Sequence, residues 1–169
     1  MTEETDALSS LIGRPPKEVG ELIAGLPFAK ALGMRLVSSG DGEAVLSIPY
    51  HQDMIGDPET GVISGGVVTA LLDTCGGIAA MASATKPTSA ATLDLRIDYM
   101  RPATPQRVLF AKATCFRETR SITFVRASAY HDTPEVPVAT AVGAFMVENR
   151  RNWPVSKPDA PPTDPKGAS

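Results

Sequence analysis

The sequence is short of the residues that ligate metals or cross-link a fold. It has two cysteines and two histidines in 169 residues. Cys75 and Cys115 lie in apolar stretches, which fits two buried thiols in a reducing compartment better than a disulfide framework. His51 and His131 fall in expected surface loops, far apart, with no Cys or Glu clustered near them at ligand spacing. No metal site is therefore expected. A basic excess is also missing: the net charge is -3. Without a positive field to meet phosphates, nucleic acid is not an expected partner. No charged-then-apolar leader opens the chain, so a cytoplasmic location is expected. The length suits one domain with a real core.

What the sequence does have is one unusual stretch, Gly61 to about Thr85. From Val67 to Ala82 it is small or apolar on almost every side, the pattern of a helix buried all round. Asp73 is the only charged residue between Ile63 and Thr85. Such a carboxylate, buried alone, costs several kcal/mol, so it needs a partner or a use. The length alone would suit a membrane span. Asp73, the paired glycines and the hydroxyls argue against one, so no membrane is expected.

The start of this helix is marked too. Ser64 is a good N-cap. Gly65 and Gly66 follow in the first turn, where bare amide N–H groups and the helix dipole favour an anion or oxyanion. Residues 65 and 73 are eight apart, about 12 Å along one helix. One helix therefore cannot bring both to one carbonyl. A second, antiparallel copy is required if they share a substrate, which predicts a two-fold dimer with composite sites.

The rest of the chain reads as strands. Residues 1–26 form an N-terminal extension with a short helix over Lys17–Ala24, and 27–148 form the main domain. Residues 149–169 form a Pro-rich disordered tail, with Trp153 anchoring its start. Met34–Ser39 and Glu43–Tyr50 are strands joined by Ser39-Gly40-Asp41-Gly42, a hairpin signal. His51–Gly61 reads as a loop. After the helix come Thr92–Met100, Arg107–Phe116, Ser121–Tyr130 and Val136–Val147, expected as four strands in a meander with the last one central. In the first of these, Leu93, Leu95, Ile97 and Tyr99 alternate with Asp94, Arg96 and Asp98. The fold class is α+β, an antiparallel sheet wrapped around one long central helix.

Three blocks carry a resemblance: Pro27-Phe28 with Leu32-Gly33-Met34; Thr60 to Thr74 with its Ser64-Gly65-Gly66 and Asp73; and Thr92 to Ala103 ending in Tyr99-Met100-Arg101-Pro102. Over roughly Phe28 to Val147 the chain resembles the hotdog-fold acyl-CoA thioesterases of the PaaI-like, phenylacetate-pathway group. The resemblance implies that Asp73 is the catalytic carboxylate, as general base or as nucleophile. It implies that the Gly65 N–H polarises the thioester carbonyl from the opposite subunit, and that Thr92 helps hold the attacking water. It also implies a homodimer assembled as a dimer of dimers, an acyl-CoA substrate, and no cofactor beyond the CoA of that substrate. Two positions depart from the group. Ser64 stands where it usually has His, and Pro58 where it often has Asn or Gln; the adjacent Asp57 is the candidate replacement.

Each candidate has a plainer reading. Asp73 as a structural acid would bond a backbone amide or a neighbour across an interface. Gly65-Gly66 would then only let two helices pack closely. Ser64 is read as a cap rather than a nucleophile, because a nucleophile elbow needs glycine two residues to either side and Val62 is not glycine. Thr92 falls on the polar face of its strand by simple alternation, so periodicity does not bring it to Asp73. Gly66, Arg101 and Arg120 are candidate substrate contacts, the arginines for CoA phosphates. A non-catalytic acyl-CoA-binding protein on the same fold is the alternative function.

Overall fold

The computed structural model describes residue 23, residues 25–85 and residues 87–148. The expected N-terminal helix, the Pro-rich tail and Trp153 lie outside the described residues. Helix α1 (Pro27–Ala31) leads into strands β1 (Arg35–Gly40) and β2 (Glu43–Ile48). A 3-10 turn (Gln52–Met54) precedes the short strands β3 (Ile55–Asp57) and β4 (Val62–Ile63). Helix α2 (Gly65–Met81) follows, then β5 (Ser89–Tyr99), β6 (Leu109–Glu118), β7 (Ile122–Tyr130) and β8 (Ala139–Glu148).

Six strands form one antiparallel sheet in the order β1-β2-β6-β7-β8-β5. The α+β expectation of a sheet around one long helix is met. The four-strand meander is not: β6, β7 and β8 form one, but β5 pairs with β8 at the far edge. Alternation identifies a strand and its faces, not its neighbour. The strand over Val136–Val147 is interior as expected, flanked by β7 and β5. The segment expected as a loop before α2 holds the β3–β4 ribbon, in which Ile55 pairs with Ile63. Pro58 and Gly61 lie in the bend between the two short strands, whereas Gly56 and Asp57 belong to β3 and Asp53 to the 3-10 turn.

The sheet presents small residues to α2. Ala44, Ala111, Ala113, Ala127, Ala129, Ala139 and Ala141 are all buried. The helix consequently lies close to the strands. A Cβ on Gly76 would stand 2.7 Å from Phe145 Cζ. Cys75 Sγ reaches the backbone oxygens of Ala44 and Ala111, each at 3.4 Å. Val68, Leu71, Leu72, Cys75, Ile78 and Ala79 fill the sheet side of the helix. A fully buried Leu contributes about 1.5–3 kcal/mol, so Leu71 and Leu72 alone hold α2 firmly.

Within one chain the helix is not buried all round. Gly65 and Gly66 are exposed, and Ala70, Asp73, Thr74 and Gly77 are only half-buried. The sheet of one chain covers one side of α2 and leaves this stripe open beside the unpaired edge of β5. His131, expected on a surface loop, is buried at 5% exposure. Its Nε2 accepts from the Thr104 N–H at 2.9 Å and its Nδ1 lies 2.8 Å from the Val108 carbonyl oxygen. It clamps the β5–β6 connection to the end of β7. Both cysteines are free thiols.

Candidate active site

The start of α2 is fixed by the ribbon before it. Gly56 packs so tightly on Ser64 that an added Cβ would stand 2.8 Å from Ser64 Cα. The Ser64 N–H donates to the Met54 oxygen at 2.8 Å. Gly61 takes φ +72°, a conformation suited to glycine, and its carbonyl accepts from the Tyr50 hydroxyl at 2.9 Å. Ser64 then caps the helix as its type predicts. Its Oγ accepts from the Gly66 N–H at 3.3 Å, and its carbonyl oxygen accepts from Val67 N–H at 3.0 Å. The exposed Gly65 N–H has no acceptor among the described residues, as expected of a first-turn amide.

Two turns further on, Asp73 Oδ1 accepts from the Thr92 hydroxyl at 2.7 Å. Simple alternation puts Thr92 on the wrong face for this contact. A bulge resolves the conflict. The register of β5 on β8 shifts between Thr92 and Asp94, leaving Leu93 as the extra residue. Thr92 stands opposite Phe145 and Leu95 opposite Gly143, so both face the helix although three apart. Leu93 turns outward at 54% exposure. Gly143 makes room for the bulge: a Cβ there would lie 2.7 Å from the Asp94 carbonyl oxygen.

Tyr99, read from the sequence only as one of the apolar-side residues of its strand, is part of this site. Its hydroxyl donates to the Gly65 carbonyl at 2.8 Å and lies 2.6 Å from Thr69 Oγ1. Its ring covers Gly65, 3.4–3.5 Å from where a Cβ would be. The signal available was the alternation of β5, which puts Tyr99 on the same side of the strand as Leu95 and Ile97.

The other candidates sit elsewhere. The exposed Asp57 carboxylate is engaged by its own loop, accepting from the Thr60 hydroxyl at 2.6 Å and the Glu59 N–H at 3.1 Å. The Thr60 bond first, then the Glu59 amide, holds its pKa below the ordinary value. The residue pressed against Ser64 is Gly56. Arg101 donates to the backbone oxygens of Val136 and Pro137, tying the end of β5 to the β7–β8 connection. Arg120 is exposed on the β6–β7 turn, beside Glu118, which accepts from the Ala84 and Thr85 amides just past α2. The two arginines therefore lie toward opposite ends of the helix. Among the described residues, no three His, Cys, Asp or Glu side chains gather as a metal site, and no helix is long and apolar enough to cross a membrane.

An antiparallel sheet curled around one long helix, with an open helix N-terminus and a carboxylate on the same rod, is the hotdog arrangement of thioester hydrolases. The family comparison agrees: the description "Thioesterase superfamily" matches residues 60–138. A Halobacterium salinarum protein named as an esterase is 34% identical over 116 residues, 66% of this chain and 77% of its own length. The medium/long-chain acyl-CoA thioesterase YigI of Escherichia coli is 27% identical over 145 residues, 78% of this chain and 92% of its own. The phenylacetic acid degradation protein PaaI of Thermus thermophilus, solved as a point mutant, superposes with a TM-score of 0.62. It is 28% identical, with 71% of this chain and 97% of that one covered. The chain belongs to the thioesterase superfamily and is a thioester hydrolase.

Proposed function

We propose that the protein hydrolyses an acyl-CoA thioester to the free acid and CoA, in a homodimer whose two sites are each shared between copies. The observation that carries this is the half-exposed Asp73 carboxylate, bonded to Thr92 on a helix whose N-terminal Gly65 N–H is open. The two groups lie eight residues apart, so the Gly65 N–H that meets a given Asp73 belongs to an antiparallel second copy. The open stripe along α2 supports such pairing. The acyl-CoA chemistry named for the Escherichia coli relative supports the substrate class.

In this site the thioester oxygen lies against one copy's Gly65 N–H. Asp73 and Thr92 of the other copy hold a water. Asp73 takes the water's proton as its oxygen adds to the carbonyl. The oxyanion is stabilised by the Gly65 N–H and the helix dipole; one such donor is worth about 2.7–4 kcal/mol. Collapse breaks the C–S bond, and the CoA sulfur leaves with the proton held by Asp73. In the nucleophilic variant, Asp73 attacks and water opens the mixed anhydride. No bound cofactor takes part; CoA is half of the substrate.

The test is thiol release from phenylacetyl, benzoyl, short-chain and medium-chain CoA esters. Wild type is expected to release thiol, and Asp73→Asn to be slower by about 10²–10⁴-fold with its assembly intact. Esters that bind without thiol release would overturn the reading in favour of a binding protein.

A further inference from the structure

We infer that Tyr99 is a positioning residue for the oxyanion donor, acting through the Gly65 backbone. This rests on the proposal that the Gly65 N–H polarises the carbonyl. The first turn of α2 has a physical weakness. Gly65 and Gly66 are consecutive, and glycine loses more backbone freedom on ordering than any other residue. A donor aimed by two glycines needs outside support. Ser64 supplies some of it through the Gly66 N–H. Tyr99 supplies the rest from 34 residues away, across the gap between the end of β5 and the helix start.

Three oxygens meet there. The Gly65 carbonyl is 2.8 Å from the Tyr99 hydroxyl and 3.1 Å from Thr69 Oγ1, and the two hydroxyls are 2.6 Å apart. Two hydroxyl protons serve three contacts. In either arrangement one hydroxyl donates to the carbonyl and the other to its neighbour, so Tyr99 stays in the network. The ring adds a second contact, its edge standing 3.5 Å, van der Waals distance, from where a Cβ on residue 65 would be. The Gly65–Gly66 peptide unit, which adjoins the one carrying the Gly65 N–H, is thereby held at its carbonyl by Tyr99 and at its N–H by Ser64 Oγ, and the Gly65 N–H itself remains open.

The test is Tyr99→Phe, which keeps the ring and removes the hydroxyl. With the acyl-CoA ester that wild type turns over fastest, kcat is expected to fall about tenfold while KM stays within about twofold, as for an interaction that matters in the transition state. Thr69→Val is expected to act in the same direction, and the double variant to lose less than the product of the two. Amide order parameters at Gly65 and Gly66 are expected to drop from about 0.85 toward 0.6 in Tyr99→Phe. A lowered melting temperature with unchanged kcat would make Tyr99 merely structural and overturn the inference. Unchanged order parameters would overturn it too, whether or not the wild type turns over CoA esters. Absence of thiol release by wild type would instead count against the acyl-CoA reading, and the order parameters would still decide whether Tyr99 holds the turn.

Discussion

At the scale of single residues, position relative to the sheet decides chemistry. Cys75 and Cys115 illustrate this. Burial pushes the Cys75 thiol up to about 12 and the Cys115 thiol up to about 11. Neither is therefore a thiolate near neutral pH, although a thiolate is the reactive form. Iodoacetamide at pH 8 is expected to spare both in the folded protein and to modify both after unfolding, with mass spectrometry as the readout. The same shifts set the sign of alkaline instability. A raised folded-state pKa favours the fold below the unfolded pKa and loses that advantage as pH climbs toward the folded value. Stability is thus expected to decline from about pH 9, where the unfolded thiols ionise, toward 11 and 12. Apolar neighbours in the sequence were enough to place Cys75 in the core, while Cys115 is only half-buried. They were not enough for His131, whose clamp on Thr104 and Val108 joins segments with no local signature of contact.

At the scale of elements, the helix was readable and its surroundings only partly so. The run from Val67, the Ser64 cap and the glycines located α2 because those signals are local. The bulge at Leu93 is a property of two strands at once, which period-2 reading of one strand cannot detect. Gly143 is its counterpart on β8, and the contact a Cβ would make there is with backbone, which yields little. Gly143→Ala is expected to cost about 1–3 kcal/mol of stability as an overpacked site. It is also expected to disturb the Thr92–Asp73 bond, so thiol release should fall more than melting temperature alone explains. Equal losses in both measurements would show that the bulge does not position Thr92. The exposed Val37 and Phe116 are likewise the extra residues at register shifts in β1 and β6, so outward-turned apolar side chains mark the three irregularities of the six-stranded sheet.

At the scale of the whole molecule, the proposed assembly makes a complementation prediction. Gly65→Pro removes the donor N–H at the first helical position, where proline fits the backbone. Ser64 already has the extended ψ of 136° that a following proline prefers. Asp73→Asn and Gly65→Pro chains are each expected to be inactive alone. Refolded together in equal amounts, half the dimers are mixed and each mixed dimer has one intact site, so about a quarter of wild-type activity should return. No recovery, with mixed dimers shown to form, would mean that both groups serve from the same chain. The strand order and the open stripe on α2 were not legible from the sequence, because they depend on where β5 docks rather than on what β5 is.

The eight-residue separation of Gly65 and Asp73 on one rigid rod has a further consequence for this assembly. A chain that needs a twin to complete its site has a rate law in which its own concentration appears. Specific activity then follows the fraction of paired chains and falls on dilution below their dissociation constant. A substitution anywhere along the contact between two copies can look, in an assay, like damage to the active site.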